Sequence, residues 1–472
     1  MKKIIIYMLA FAISSAGCKK YLDVNTDPNN PADVQGTLLL VPTQTAISTD
    51  LAGGALTIGN YVAVAVVTNY WTQQPALNQL FPQNDTYRVR PDDMDQQFLS
   101  IYSTILQNLR IIDSKAETMK HHSYGVVAKV LTAYTLGYVT DMWGDIPWSQ
   151  ALNGALHPVY DKQEDVYKSL QTMLDSAIAE NALDPGTVTP GADDLLYGGD
   201  MDKWVKFAWT LKARFHMHLT KAPGHDPATQ SGLALTALQN GFADASDEAL
   251  FAAYSDNSGS ENPWFENADP TAGPTVLAST FVNFLTANND PPPAHHREKG
   301  SGGSYLGRII GTIPAPNYKV YAGINNFYAG AAAPQALLNY PEALFIKAEA
   351  VFRTSGAAAA TPVYINAINS HMSALGLDTT SATVLAYLAA RSPLTAANGI
   401  QRIMEEKDIA NFLSIENFTD WRRTGFPALT IVQNPYVPSI PRRFPYPLAE
   451  LTSNPQPQQT ANITDRIWWD TQ

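Results

Sequence analysis

Apolar residues recurring at spacings of three and four constrain this chain more than any other feature. Met94, Phe98, Ile101, Tyr102, Ile105, Leu109 and Ile112 form one such stripe. Side chains at those spacings share one face of a 3.6-residue helix, so the segment predicts an amphipathic helix that must bury that face. Asp92 or Asp93, after Pro91, supplies its N-cap. A partner helix is expected over about 123–142, carrying Val127, Val130, Leu131, Tyr134 and Tyr138, with Ala128, Ala133 and Gly137 permitting close approach. Two further stripes lie at 165–181 (Val166, Leu170, Leu174, Ile178) and 201–219 (Trp204, Phe207, Ala208, Leu211, Phe215). Helices are also expected at about 37–50, at 341–352, near 363–375 and at about 400–413. Strict alternation is scarce, so the fold class reads as mostly α. The succession of helix pairs is similar to a tetratricopeptide-like stack, although no clean 34-residue repeat is visible.

Between about 251 and 338 the pattern changes. Gly, Pro, Asn and aromatic residues dominate, as in Asn262-Pro263-Trp264-Phe265, Pro291-Pro292-Pro293 and Gly300-Ser301-Gly302-Gly303-Ser304. So long a stretch without helical periods is expected to build a functional surface. The chain therefore divides into an N-terminal leader (1–17), a tether (18–36) and one domain (37–472). Within that domain a helical half covers mainly 92–220 and 339–415, and a loop-rich half mainly 251–338.

The leader has the order of a secretory signal: Lys2 and Lys3, an apolar run from Ile4 to Ile13, then Ser14-Ser15-Ala16-Gly17 before Cys18. The run is too short to span a bilayer. Cys18 is the single cysteine of 472 residues, so no internal disulfide can form. Small residues directly before it resemble a bacterial lipobox, in which Cys18 would be acylated. Each buried acyl methylene contributes about 0.8 kcal/mol, enough for several chains together to hold a protein on a membrane. The net charge is −12, and nearer −14 once the leader is removed. Such a surface repels phosphate backbones, so nucleic acid is not an expected partner.

Seven segments, in order along the chain, resemble the SusD/RagB family of nutrient-binding outer-membrane lipoproteins. They are Cys18 to Asn29; Trp143-Gly144-Asp145-Ile146-Pro147 with Trp148 to Leu152; Asp194 to Asp200 with Lys203, Trp204 and Phe207; Tyr305-Leu306-Gly307 with Gly311; Tyr340-Pro341-Glu342-Ala343 to Ala350; Asp420-Trp421-Arg422-Arg423-Thr424-Gly425-Phe426-Pro427; and Pro441-Arg442-Arg443-Phe444-Pro445-Tyr446-Pro447. The stretch Asn288 to His296 departs from the family pattern. The resemblance implies a SusD-like fold, with tetratricopeptide-like helix pairs packed against an irregular ligand-binding half. It implies a surface-exposed lipoprotein of the outer membrane that lids a TonB-dependent, SusC-like transporter. It also implies non-catalytic capture of a nutrient, most commonly a glycan or oligosaccharide ligand and in some members a peptide.

Sugar binding needs flat apolar area for C–H faces and amides or carboxylates for hydroxyls. Two segments combine these. One holds Asn69, Tyr70, Trp71, Gln73 and Gln74 and continues to Phe81, Asn84 and Tyr87. The other holds Asn262, Trp264, Phe265 and Asn267, with Asn325, Asn326, Phe327 and Tyr328. The remaining motifs read as structural. Gly144 and Pro147 end a helix. Asp141 and Asp145 serve helix-end bonding rather than a metal. Arg422 and Arg423 pin the C-terminal segment. Glu342, Lys347 and Glu349 read as a solvated helix face. His216 and His218, two apart on a helix, point to different faces and cannot chelate together. His121-His122 and His295-His296 are adjacent pairs without zinc spacing. Asn288 to Asp290 offer oxygens that could suit calcium without specifying it. No cofactor is expected. A secreted glycan hydrolase is the competing class. It would need paired carboxylates about 5 Å or about 6.5–9.5 Å apart, and no signature pairs any here. A scaffold that uses only the helical stack is a third possibility.

Overall fold

The computed structural model describes residues 35–53, 63–268, 275–291, 297–456 and 462–471. Cys18, the leader, the tether to residue 34, and His295 and His296 lie outside the described residues.

The chain is mostly helical. Its longer helices are α1 (Val64–Trp71), α2 (Gln107–Met119), α3 (His122–Trp143), α4 (Gln163–Glu180), α5 (Met201–His218), α6 (Pro227–Leu238), α7 (Tyr340–Ala374), α8 (Ala382–Arg391), α9 (Gly399–Ala410) and α10 (Glu416–Thr424). The stripe from Met94 to Ile112 is helical as expected. It passes through a wide π turn at Ser100–Leu106 before entering α2, and Asp93 Oδ2 accepts the Arg90 N–H at its start, 2.8 Å away. α3 lies against both α2 and α4 and is buried along almost its whole length. A helix with neighbours on several sides has no solvent face, which is why it is apolar all round. At Gly137 an added Cβ would stand 2.5 Å from the Phe215 ring, so α3 and α5 approach through that gap. Gly144 ends α3 with φ of 80°, a conformation that disfavours any side chain.

α5, α6 and α7 stack next, and α9 and α10 continue from α7. α6 starts on Asp226, whose carboxylate accepts the Thr229 N–H at 2.7 Å, with Pro227 in the first turn. α7 is interrupted at Gly356, where the backbone is non-helical with φ of 82°, so its span is two helices meeting at a kink, in keeping with those expected at 341–352 and near 363–375.

Among the described residues of the stretch from 252 to 338, the α-helices are Pro263–Ala268, Ser279–Ala287 and Asn326–Ala329, none longer than nine residues. Antiparallel two-residue to four-residue ladders tie it down. Pro75–Leu77 pairs with Thr275–Leu277, and Ala249–Phe251 with Gln335–Leu338, which leads directly into α7. An apolar cluster joins this half to the helices through Tyr70 and Val66 of α1, Trp264, Leu277, Phe281 and Phe412.

One expectation is corrected here. Glu342 and Glu349 are not on a solvated face; only Lys347 is exposed. Glu342 is buried against Arg214, with two bonds of 2.8 Å. Glu349 is buried against Arg423 and Arg353, 2.7 Å each. The burial of those carboxylates is possible because each has a fully directed guanidinium partner. Arg422 pins the C-terminal segment as expected. It donates to the Asp141 carbonyl at 2.6 Å and the Arg442 carbonyl at 3.0 Å, and it lies over the Trp469 ring. Asp141 accepts from Trp469 Nε1 at 2.9 Å, and Asp145 from the Gln163 N–H at 2.9 Å. His218 is enclosed between Glu416 (2.6 Å) and Asp141 (3.3 Å). Burial disfavours its charge, but those two carboxylates outweigh burial and raise its pKa to about 9. His216 instead meets Gln230 at 2.9 Å.

Asp408 on α9 differs from these paired acids. Burial pushes its carboxyl up to about 7; the Gln74 amide opposes this, while Asp420 and Glu405 add to it. An acid whose pKa rises on folding takes up a proton as the chain folds. Its stabilising protonation is complete at low pH and is lost as pH rises through about 7. Asp408→Asn should therefore raise the melting temperature clearly at pH 8 and much less at pH 4.5. Thermal scans at the two values check this, and an equal shift at both would refute it.

Candidate functional site

The first aromatic–amide segment closes α1, and the structure corrects its expected exposure. Asn69, Tyr70, Trp71, Gln73 and Gln74 are all buried. Each ties the helix end to a distant segment. Asn69 Nδ2 donates to the Leu413 carbonyl at 3.0 Å. The Tyr70 hydroxyl meets Thr275 Oγ1 at 2.8 Å. Trp71 Nε1 donates to the Asn84 carbonyl at 3.1 Å. Gln73 donates to the Thr430 carbonyl at 2.6 Å and accepts from Thr280 at 2.7 Å. Gln74 donates to the Asp408 carbonyl at 2.8 Å and accepts the Leu413 N–H at 3.0 Å. A primary amide both donates and accepts, so a helix end rich in Asn and Gln can satisfy several loop backbones at once.

Phe81 stands elsewhere, on a face made by three loops. Arg308, itself buried, holds them together by donating to Asn78 Oδ1 (3.3 Å) and to the carbonyls of Gln79 (3.1 Å), Ile309 (2.9 Å) and Thr312 (3.1 Å). Asn434 Nδ2 bonds the Gly311 carbonyl at 2.9 Å and brings in the third loop. Leu80, Phe81, Ile309, Ile313 and Tyr436 are exposed there. Pinned loops carrying exposed apolar side chains form a surface suited to contact rather than to solvent alone.

The second segment does assemble. The short helix Pro263–Ala268 packs on the short helix Asn326–Ala329, and Asn262 bonds the Ala331 and Ala333 backbone at 2.7 and 2.8 Å. Trp264, Phe327 and Tyr328 thereby line one side of a cavity of about 410 Å³, a size at which small-molecule sites of about 300–1,000 Å³ fall. Phe265, Asn326 and Phe327 are exposed on these two short helices. The opposite wall comes from the start and end of α7 and from Ala410 to Ser414 after α9. Tyr328 stands edge-on to Phe412, ring centres 4.9 Å apart, and Phe412 stacks on Phe281 at 5.1 Å. Glu248, Gln335, His371 and Asn411 supply polar groups. Burial raises the Glu248 pKa against the pull of the Tyr340 N–H. Trp264 Nε1 and both amide atoms of Asn411 are buried without hydrogen-bond partners. Asn411, His371 and Glu248 were not legible as site residues. They reach the cavity only through tertiary folding, and no local motif marks them.

A groove of about 660 Å³ between α2, α3, α4 and residues 148–153 is larger. Its lysines are already engaged, Lys129 with Asp113 and Glu180 and Lys168 with Glu164 and Asp165, while Arg110 has no ion pair among the described residues, and Trp148 is the one aromatic ring among its lining residues. It therefore presents a weaker claim than the smaller cavity. Among the described residues no group of three His, Cys, Asp or Glu could hold a metal ion, and no helix is long and apolar enough to cross a membrane. Asn288, considered for calcium, spends its oxygen on Arg391 Nη1 at 3.1 Å.

Helix pairs stacked on one side, a loop-built half on the other, and an aromatic-lined cavity at their seam define a mostly helical fold with a candidate binding cavity. The chain belongs to the SusD-like family described as starch-binding associating with outer membrane, whose model matches residues 28–447. Members of that family are non-catalytic binding proteins associated with the outer membrane. No curated protein matches the chain significantly. Among solved structures it is similar to a chitin-binding protein, with 24% identity, TM-score 0.78, and coverage of 93% of this chain and 100% of that one. It is equally similar to a SusD/RagB family protein from Bacteroides thetaiotaomicron, with 23% identity, TM-score 0.78 and coverage of 93% and 99%. A chitin-binding SusD homolog from Flavobacterium johnsoniae matches at 21% identity, TM-score 0.78 and coverage of 92% and 98%.

Proposed function

We propose that this protein binds a glycan at the cell surface without altering it and delivers it to a SusC-like TonB-dependent transporter. The observation that carries the reading is the cavity where Trp264, Phe327 and Tyr328 face Asn411, Gln335 and His371. Flat rings suit the C–H faces of a pyranose, and the amides suit its hydroxyls. Family membership and the chitin-binding structures of the same fold support a glycan over a peptide. Of the residues expected from sequence, Trp264 lines this cavity, and Phe265 and Asn326 are exposed on the two short helices beside it. Asn69, Tyr70, Trp71, Gln73 and Gln74 are assigned to its framework, and Phe81 to a separate contact face. Residues 37–472 act as one domain on a tether that starts at acylated Cys18.

Affinity electrophoresis and calorimetry against soluble polysaccharides and peptides test this. One glycan class should be retained intact, and Phe327→Ala should weaken that binding at least several-fold with little change in melting temperature, because Phe327 is exposed. Release of reducing ends would convert the reading to a hydrolase, and binding of peptides alone would move it to peptide uptake. Cys18→Ser should shift the protein from the membrane to the soluble fraction, and retention on the membrane would refute the lipid anchor. Co-purification of the intact lipoprotein with an outer-membrane barrel checks the transporter.

A further inference from the structure

Buried polar atoms are almost always hydrogen-bonded, because leaving one bare is costly. Three bare atoms belong to two residues of the same cavity wall: Trp264 Nε1, Asn411 Nδ2 and Asn411 Oδ1. Trp264 is 1% exposed and Asn411 is 2% exposed. Nothing in the fold uses them. The Asn411 backbone is fully employed, its N–H bonding the Lys407 carbonyl at 2.8 Å and its carbonyl accepting from Asn417 Nδ2 at 2.8 Å. The side chain is therefore not needed to hold the end of α9.

The missing partner has a definite chemistry. It must accept from an indole N–H, and it must both donate to and accept from a carboxamide. It must also tolerate the apolar neighbours Leu337, Leu338, Leu375 and Phe412. A secondary amide carrying a methyl group meets all of these conditions. Its carbonyl accepts, its N–H donates, and its methyl suits the apolar wall.

Charge narrows the class further. The ionisable groups lining the cavity are Glu248, Glu342, His371 and the phenol of Tyr328. The cations nearest Glu342, Arg214 and Lys407, are already paired with it. An anionic sugar would meet carboxylates and no available cation.

We infer that this cavity selects a neutral sugar bearing an acetamido group, an N-acetylhexosamine unit within the bound glycan. The inference rests on the glycan reading above and assigns the specificity of that same site. Asn411 and Trp264 are the specificity-determining residues.

The test uses the purified protein and three disaccharides of one linkage, built from N-acetylglucosamine, glucose and glucosamine, with affinities read by calorimetry. The acetylated disaccharide should bind at least about tenfold more tightly than the other two, as expected when a buried polar group is matched rather than left bare. Asn411→Leu and Trp264→Phe should each erase most of that preference. Asn411→Leu should leave the melting temperature unchanged or higher, since it removes an amide with no partner. Equal affinity for the acetylated and unacetylated disaccharides would overturn the inference while leaving glycan binding in place, as would wild-type preference in both variants. Failure of every glycan to bind, with a normal melting temperature, would overturn the glycan reading itself.

Discussion

Trp71→Ala is expected to lower stability by about 3–5 kcal/mol, the range for removing a fully buried large aromatic side chain. The ring is completely enclosed. It stacks on Phe444 with ring centres 4.4 Å apart and meets Phe418 edge-on at 5.4 Å. Phe444 continues the contact to Trp143 at 5.9 Å, and Trp143 Nε1 bonds the Pro445 carbonyl at 2.8 Å. Trp71 therefore joins α1, α10, the end of α3 and the C-terminal segment. Its loss would remove contacts on several elements at once and leave the Asn84 carbonyl without its indole donor. Urea unfolding should show a lower midpoint with an unchanged slope. A Trp71→Ala protein that kept its midpoint and lost only glycan affinity would return this residue to the binding surface. Phe444→Ala should cost a similar amount. The double variant should cost less than the two singles together, because they share one contact.

The burial of Trp71 shows what the sequence does and does not carry. Helix stripes are local, so 94–112, 123–142, 165–181 and 201–219 were readable from spacing alone. α6 was missed because its buried residues are small or polar, Gln230, Ser231, Ala234 and Ala237, and make little contrast with its exposed face. Its Asp226-Pro227 start was the available signal. α10 shows no apolar stripe, since nearly every residue of Glu416–Thr424 is buried and four of them, Glu416, Asp420, Arg422 and Arg423, are charged. Amides beside aromatics at 69–74 suited either a sugar or a set of loop backbones. Their hydrogen bonds reach the carbonyls of Leu413, Thr430 and Asp408, more than 300 residues away, which no local pattern announces. At the candidate site the aromatic half was legible in Asn262 to Phe265 and Asn326 to Tyr328. Its polar half was not, because His371 arrives on α7 and Asn411 at the end of α9.

The same long separations govern the charges. Arg423 reaches Glu349 across 74 residues and Arg214 reaches Glu342 across 128. Arg423→Met is accordingly expected to cost about 3–5 kcal/mol at neutral pH, the range for removing one partner of a buried ion pair. The guanidinium donates to Glu349 Oε2 and Asp420 Oδ1, 2.7 Å each, and to Thr220 Oγ1 at 3.2 Å. Methionine fills much of the space but leaves Glu349 with only Arg353, and Asp420 with only Lys407, as cationic partners. Burial alone would raise the Glu349 carboxyl; Arg423 and Arg353 outweigh it and hold the pKa at about 2. A carboxyl whose pKa falls on folding contributes stability that is fully present above about 4.5 and is lost as pH drops through about 2. Without Arg423 the depression is relieved, and the buried carboxylate can take up a proton instead of staying bare. The penalty of Arg423→Met should therefore be largest near pH 7 and shrink toward pH 4. Glu349→Gln should show a smaller loss, because an amide leaves no uncompensated charge on its own side. Calorimetric unfolding of both variants across that range checks the assignment. A penalty independent of pH would mean that Arg423 acts by packing against its neighbours, not by balancing the buried carboxylates that hold α7 and α10 together behind the cavity.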